Sequence, residues 1–211
     1  KTFFMIASIR GKAKKILGFS PTNEHWCRVV MNRATHELVK KLPYKGYKAL
    51  EISGEQWKNF PFKSYNSTVY PDFDICNLPD DNSFDEKYDI IIAEQVFEHL
   101  EYPYQAGKNV HRLLRVGGYF LITTPVLIKY HCFPIDCYRW TKDGLKYFLK
   151  ECSFSQIVSD TWGNKKCVIA NFENWIVYNK YLHSLKNEEN FPIVSWALAK
   201  KEASDLYILH K

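Results

Sequence analysis

The run from Lys87 to Pro125 constrains this chain most. It opens with Tyr88-Asp89-Ile90-Ile91-Ile92-Ala93, continues through the polar stretch Glu94-Gln95-Val96-Phe97-Glu98-His99-Leu100, and closes with Gly117-Gly118-Tyr119-Phe120-Leu121-Ile122-Thr123-Thr124-Pro125. Between them, about Tyr104 to Arg115, Ala106, Val110, Leu113 and Leu114 recur at helical spacing, and the two glycines stop the helix. Two unbroken apolar runs joined by a helix suit a parallel sheet covered on both faces. The stretch therefore reads as a βαβ unit. In open α/β sheets ligands bind beyond the carboxyl ends of the strands, which is where Glu94 to His99 falls.

The flanking sequence extends the same pattern. Asn23 to Lys41 predicts a helix with Trp26, Val30, Ala34 and Leu38 on one face, ended by Pro43 and Gly46. Lys48 to Ile52 reads as a first strand, followed by Ser53-Gly54. Ser64 to Tyr70 reads as another strand, and Asp72 to Pro79 as a short strand with an acidic turn. Thr141 predicts an N-cap for a helix to Cys152 with Leu145, Phe148 and Leu149 inward. Gln156–Asp160 and Phe191–Lys200 read as late strands. Residues 162–190 carry Trp162, Phe172, Trp175, Tyr178 and Tyr181, and read as a substrate lid or as an insertion packed on the sheet or on a second subunit, which would make a homodimer. No repeat or low-complexity tract divides the chain, so 23–211 is expected to form one domain behind a basic segment, 1–22.

Charge placement narrows the partners. The net charge is +6, yet residues 1–20 hold Lys1, Arg10, Lys12, Lys14 and Lys15 with no acid, so the body is close to neutral. That segment reads as a solvated terminus rather than a phosphate-binding arm, and nucleic acid is not expected as a partner. No apolar run approaches the roughly 18 residues needed to span a bilayer, and no secretory pattern is present, so a cytoplasmic protein without membrane insertion is expected. The six cysteines form no CxxC pair and no His/Cys ligand spacing, which predicts free thiols and no metal.

Cofactor requirements sort the remaining possibilities. A dinucleotide needs a G-x-G-x-x-G turn to cradle its pyrophosphate, and only Gly54 follows the first strand. The P-loop pattern is absent as well. S-adenosylmethionine carries no phosphate; it needs acceptors for an ammonium and hydroxyls, a partner for the adenine amino group, and apolar walls. Glu51, Asp74 and Glu94, each near a strand end, supply such acceptors.

On these residues the chain resembles the class I S-adenosylmethionine-dependent methyltransferases, specifically the small-molecule group called methyltransferase type 11. The carrying motifs are Leu50-Glu51-Ile52-Ser53-Gly54, Asp74-Ile75-Cys76-Asn77-Leu78-Pro79, Asp81 to Asp85, Tyr88 to Leu100 and Leu113 to Pro125, with His131, Pro134, Asp136, Arg139, Trp140 and Thr141 resembling a subgroup met beside sugar and cell-surface biosynthesis. The resemblance implies a Rossmann-like α/β fold: a seven-stranded sheet, order 3-2-1-4-5-7-6 with the last strand antiparallel, and helices on both faces. It implies S-adenosylmethionine as cofactor, held by Glu51, Ser53, Gly54, Asp74, Ile75, Glu94, Gln95 and His99. The acid that would grip the ribose has no clear match, which leaves Tyr70 and Asp72 as candidates.

Methyl transfer is an in-line displacement in which the protein positions the reactants and supplies a base when the acceptor is a hydroxyl. Histidine has the pKa for that base. His131, Asp136 and His99 are accordingly the catalytic candidates, on the loops that follow the two central strands. Arg139 and Trp162 are the candidates for binding a small-molecule methyl acceptor. His99 also reads as a structural turn residue, and Arg139 as an internal partner of Asp136.

Overall fold

The computed structural model describes residues 18, 23–79, 85–132 and 134–203. Six strands form one sheet: β1 (Lys48–Ile52), β2 (Ser64–Thr68), β3 (Tyr88–Glu94), β4 (Leu114–Pro125), β5 (Ser155–Trp162) and β6 (Val194–Lys200). Their spatial order is β2-β1-β3-β4-β6-β5. The first four strands are parallel; β6 runs antiparallel to both β4 and β5. Helices α1 (Val29–Lys40), α2 (Pro103–Leu113), α3 (Lys142–Glu151) and α4 (Lys165–Glu173) complete a Rossmann-like α/β fold.

The pattern at Lys87–Pro125 becomes β3, α2 and β4. Ile90, Ile91, Ile92, Phe120, Leu121 and Ile122 are all fully buried, as strands covered on both faces require. The helix is shorter than its periodicity suggests: Leu114 already belongs to β4, and Gly117, at φ 81°, lies inside the strand rather than ending the helix. On α1 the buried stripe is Met31, Thr35 and Val39, one position on from the predicted Val30, Ala34 and Leu38. The predicted residues flank it and pack against the core from its sides. Thr141 caps α3 as expected, its hydroxyl accepting from Gly144 N at 3.1 Å.

The sheet departs from the seven-stranded expectation at one edge. Among the described residues the outermost strand is absent, and Asp72 to Pro79 forms turns. The Asp74 carboxylate accepts from Cys76 N (2.8 Å) and the Asn77 amide (2.6 Å), a local turn that competes with strand pairing. Pro71 and Pro79 bracket the segment and remove two ladder donors. The polar strand β2 is left as the edge.

The 162–190 region folds back on its own chain. Trp26 N donates to Ile176 O, Tyr178 N to Glu24 O, and the Trp26 indole to Ser184 O. Trp26, Met31, Trp162, Cys167 and Trp196 form the core beneath it. Among the described residues no helix is long and apolar enough to cross a membrane, and all six cysteines are free.

Candidate active site

Two groups of polar side chains gather at the carboxyl ends of the central strands. The first lies between β1 and β3, where strand order reverses direction. Ser53 at φ 55° and Gln95 at φ 57° turn the chain out of β1 and β3 in left-handed conformations. Glu51 is fully buried, and its carboxylate accepts from Gln56 N (2.9 Å), Trp57 N (2.9 Å) and the Tyr65 hydroxyl (2.6 Å). Its work is to shape the loop after β1. Gly54 is required by that same carboxylate: a Cβ there would stand 2.5 Å from Glu51 Oε1.

Where many folds of this type start a helix after β1, residues 53–63 form turns and place Trp57 in the core. The Trp57 indole donates to Glu94 Oε2 at 3.2 Å, and Arg28 meets Glu94 Oε1 at 3.3 Å. Burial holds the Glu94 carboxyl above its ordinary pKa despite Arg28. Gln95 turns inward, its amide donating to Thr123 Oγ1. Ile75 is buried, with its carbonyl held by Asn109 of α2, so it belongs to the core. Ser53 follows β1 and Glu94 ends β3, while Asp74 lies in its own turn with both carboxylate oxygens accepting locally.

The second group lies on the loops after β3 and β4. Phe97–His99 is one turn of 3-10 helix, and the Glu98 carbonyl accepts from Cys137 N (2.8 Å) and Tyr138 N (3.1 Å), which docks the 131–140 loop onto it. The far end of that loop is fixed by Ser195 Oγ donating to Trp140 O at 2.6 Å. His131 Nδ1 lies 3.2 Å from Asp136 Oδ2, and His131 N donates to the same oxygen at 2.8 Å. Arg139 forks onto both Asp136 oxygens. That pairing, with the His131 contacts, holds Asp136 well below the usual carboxylate range.

The sequence-predicted residues thus divide. The structure brings His99, His131 and Asp136 together, with the two imidazole rings 5.0 Å apart. Asp136 is almost wholly buried and can act only through His131, and the Arg139 fork is occupied by Asp136 rather than open to an acceptor. Trp162 belongs to neither group: it is 2% exposed, and its indole donates to Leu185 O in the core under α4. Tyr70 and Asp72 sit exposed on the turn after β2.

The sequence singles out neither Glu98 nor Arg28 as a site residue, and Trp175 only as one aromatic of the 162–190 lid or insertion. Glu98 is fully buried, and burial lifts its carboxyl to about 8. Arg28 reaches Glu94 from the start of α1. Trp175 stands edge-on to His131, with ring centroids 5.9 Å apart. An open pocket of about 540 Å³ lies elsewhere, over edge strand β2 from Thr68 down to Tyr88 and Leu113.

Residues 32–120 match the family model described as a methyltransferase domain, and the sheet around them has the parallel core and antiparallel β6 of that fold. Over those residues the chain is similar to a methyltransferase domain, and its sheet is Rossmann-like. Phosphoethanolamine N-methyltransferase 2 from Haemonchus contortus, solved with phosphomonomethylethanolamine and S-adenosylhomocysteine, is similar at a TM-score of 0.54 and 12% identity. The match covers 82% of this chain and 53% of that one, so this chain spans about half of its length. A methyltransferase from Archaeoglobus fulgidus is similar at 0.50 and 14% identity, over 81% of this chain and 94% of its own. The [4+2]-cyclase SpnF is similar at 0.54 and 13% identity, over 82% and 81%. At such identities these likenesses speak to the fold alone, and a cyclase among them means that the fold does not name the reaction. No curated protein matches the chain in sequence.

Proposed function

We propose that the protein transfers the methyl group of S-adenosylmethionine to a hydroxyl or amine of a small molecule, a sugar or sugar nucleotide being the first class to screen. The observation that carries this reading is the His131–Asp136–Arg139 relay beside His99, at the carboxyl ends of the central strands. Arg139 fixes Asp136. Asp136 holds the proton on His131 Nδ1, and Nε2 is left as the base toward an acceptor. Ser53, Asp74 and Glu94 would hold the cofactor, which supplies an activated methyl carbon. Trp175 would form a wall for the acceptor.

Calorimetric titration with S-adenosylmethionine and S-adenosylhomocysteine tests the first half. Binding should be weakened by Asp74→Ala. A methyl-transfer screen over amino and hydroxyl sugars tests the second. His131→Ala should lower kcat by about 10²–10³-fold, with affinity for S-adenosylhomocysteine unchanged. A second reading, a non-catalytic cofactor-binding or scaffold module of a larger protein, draws on the contacts already made to the Glu51 and Glu94 carboxylates by Trp57, Tyr65 and Arg28. Absence of binding by either sulfur compound would favour it.

A further inference from the structure

The loop pair after β3 and β4 holds a second arrangement that methyl transfer does not require. Glu98 is fully buried, and neither carboxylate oxygen has a hydrogen-bond partner among the described residues. A buried acid without donors is costly, and a native fold keeps one only with a reason. What faces it are His99 and His131: one ligand-type atom from each of the three residues lies within 4.8 Å of the other two, with His99 Nε2 at 3.8 Å from Glu98 Oε1.

The hydrogen bonds decide what those ring nitrogens are. His99 Nδ1 contacts the Ile135 carbonyl, which can only accept, so Nδ1 carries the proton. His131 Nδ1 faces the ionised Asp136 carboxylate, which also only accepts. With both rings neutral, both Nε2 atoms are lone pairs. Once Glu98 gives up its proton, the three residues place lone-pair atoms within 4.8 Å of one another. A neutral imidazole whose Nδ1–H is held by a carbonyl or a carboxylate is how proteins orient a metal-ligating histidine. Asp136, itself clamped by Arg139, is in the position of the outer carboxylate.

We propose that Glu98, His99 Nε2 and His131 Nε2 form a binding site for a first-row divalent transition-metal cation, zinc being the reference case. Two imidazoles and one carboxylate are a ligand set that such ions take while leaving a further position open. Metal–ligand bonds of about 2.1 Å at tetrahedral angles need ligand atoms about 3.4 Å apart, so the cluster closes by side-chain rotation within two anchored loops. His99 and His131 keep 17% and 25% of their side-chain surface exposed, which gives the ion a way in. Cysteine spacing gives no sign of the site, because its ligands are nitrogen and oxygen on two loops. Ion binding does not depend on the methyl-transfer reading. Activation of an acceptor hydroxyl at the open position would depend on it, the bound ion then replacing His131 Nε2 as the activating group.

The test uses the full chain, stripped with chelator and titrated separately with Zn²⁺ and Co²⁺. The expected result is one equivalent bound with micromolar or tighter Kd, a rise in Tm, and visible Co²⁺ bands of four- or five-coordination without thiolate charge transfer. Asp136→Asn should weaken binding by about 10–100-fold, and Glu98→Gln, His99→Ala and His131→Ala should weaken it further. Glu98→Gln is isosteric and removes an unpaired buried acid, so it is expected to fold. The Cys132→Ser/Cys137→Ser variant should bind as the parent does, although both thiols are exposed on the same loop. No saturable binding by the parent overturns the proposal, as does binding that survives Glu98→Gln and both histidine variants, or that disappears with the two thiols. S-adenosylhomocysteine titrated in chelator reports separately on methyl transfer, so failure of one reading leaves the other standing.

Discussion

Replacing Glu51 with glutamine isolates what the acid at the end of β1 does. Its carboxylate receives three donors: two backbone N–H groups of the following loop and the Tyr65 hydroxyl, at 2.9, 2.9 and 2.6 Å, in a fully buried site. Hydrogen bonds to a charged group contribute about 1.5–3 kcal/mol each. Glutamine keeps one acceptor oxygen and turns an NH₂ toward a donor, so at least one of the three bonds is lost and one donor is stranded. A loss of about 3–5 kcal/mol follows. At about 2–4 °C per kcal/mol for a domain of this size, Tm should fall by about 6–20 °C. Urea denaturation of Glu51→Gln, Tyr65→Phe and the double variant measures it, and the cycle should show coupling of about 1–2 kcal/mol. S-adenosylhomocysteine affinity should fall with Glu51→Gln only as far as the 53–57 loop loosens. A variant that is as stable as the parent but loses cofactor binding would refute the argument, since it would make Glu51 a direct cofactor ligand.

Other substitutions test neighbouring statements. Arg28→Ala strands the Glu94 carboxylate, whose side chain is 6% exposed, and should cost about 2–3 kcal/mol near neutral pH. Burial raises the Glu94 pKa, so its protonated form is favoured in the fold. The Arg28→Ala penalty should therefore shrink as pH falls toward the ordinary carboxylate range and grow as pH rises, in denaturation at several pH values. Gly163→Ala places a Cβ 1.9 Å from the Phe191 carbonyl oxygen, a backbone atom that cannot swing away; a loss above about 3 kcal/mol or failure to fold is expected in thermal melts. Trp162→Phe keeps an aromatic ring in the core but removes the donor to Leu185 O and part of the buried indole volume. It should cost about 2–3 kcal/mol and leave methyl-transfer KM unchanged, where an acceptor-binding Trp162 would raise it.

Much of the scaffold is legible in the sequence because periodicity is a property of the local backbone. Ile90–Ile92 and Phe120–Ile122 need both faces covered wherever they lie, and Thr141 with Leu145, Phe148 and Leu149 specifies α3 and its cap unaided. Local chemistry also misleads where it competes with itself. Asp74 draws its segment into a turn that strand propensity alone would not predict, and the α1 stripe shifts by one residue because the helix is gripped from two sides. Trp162 is an aromatic in a loop-rich region by sequence and a core residue by contact.

The sequence by itself determined the class of fold, the strand–helix–strand centre and the loops on which the polar residues ride. Only the tertiary structure decided which polar groups meet. Glu98 and His99 leave β3 in one turn, His131 and Asp136 return after β4, and nothing periodic in either segment says that their side chains face one another. Loop paths are set by a few long-range hydrogen bonds, here Glu98 O to the 137–138 amides and Ser195 to Trp140. Those bonds carry no repeating pattern for a sequence to display.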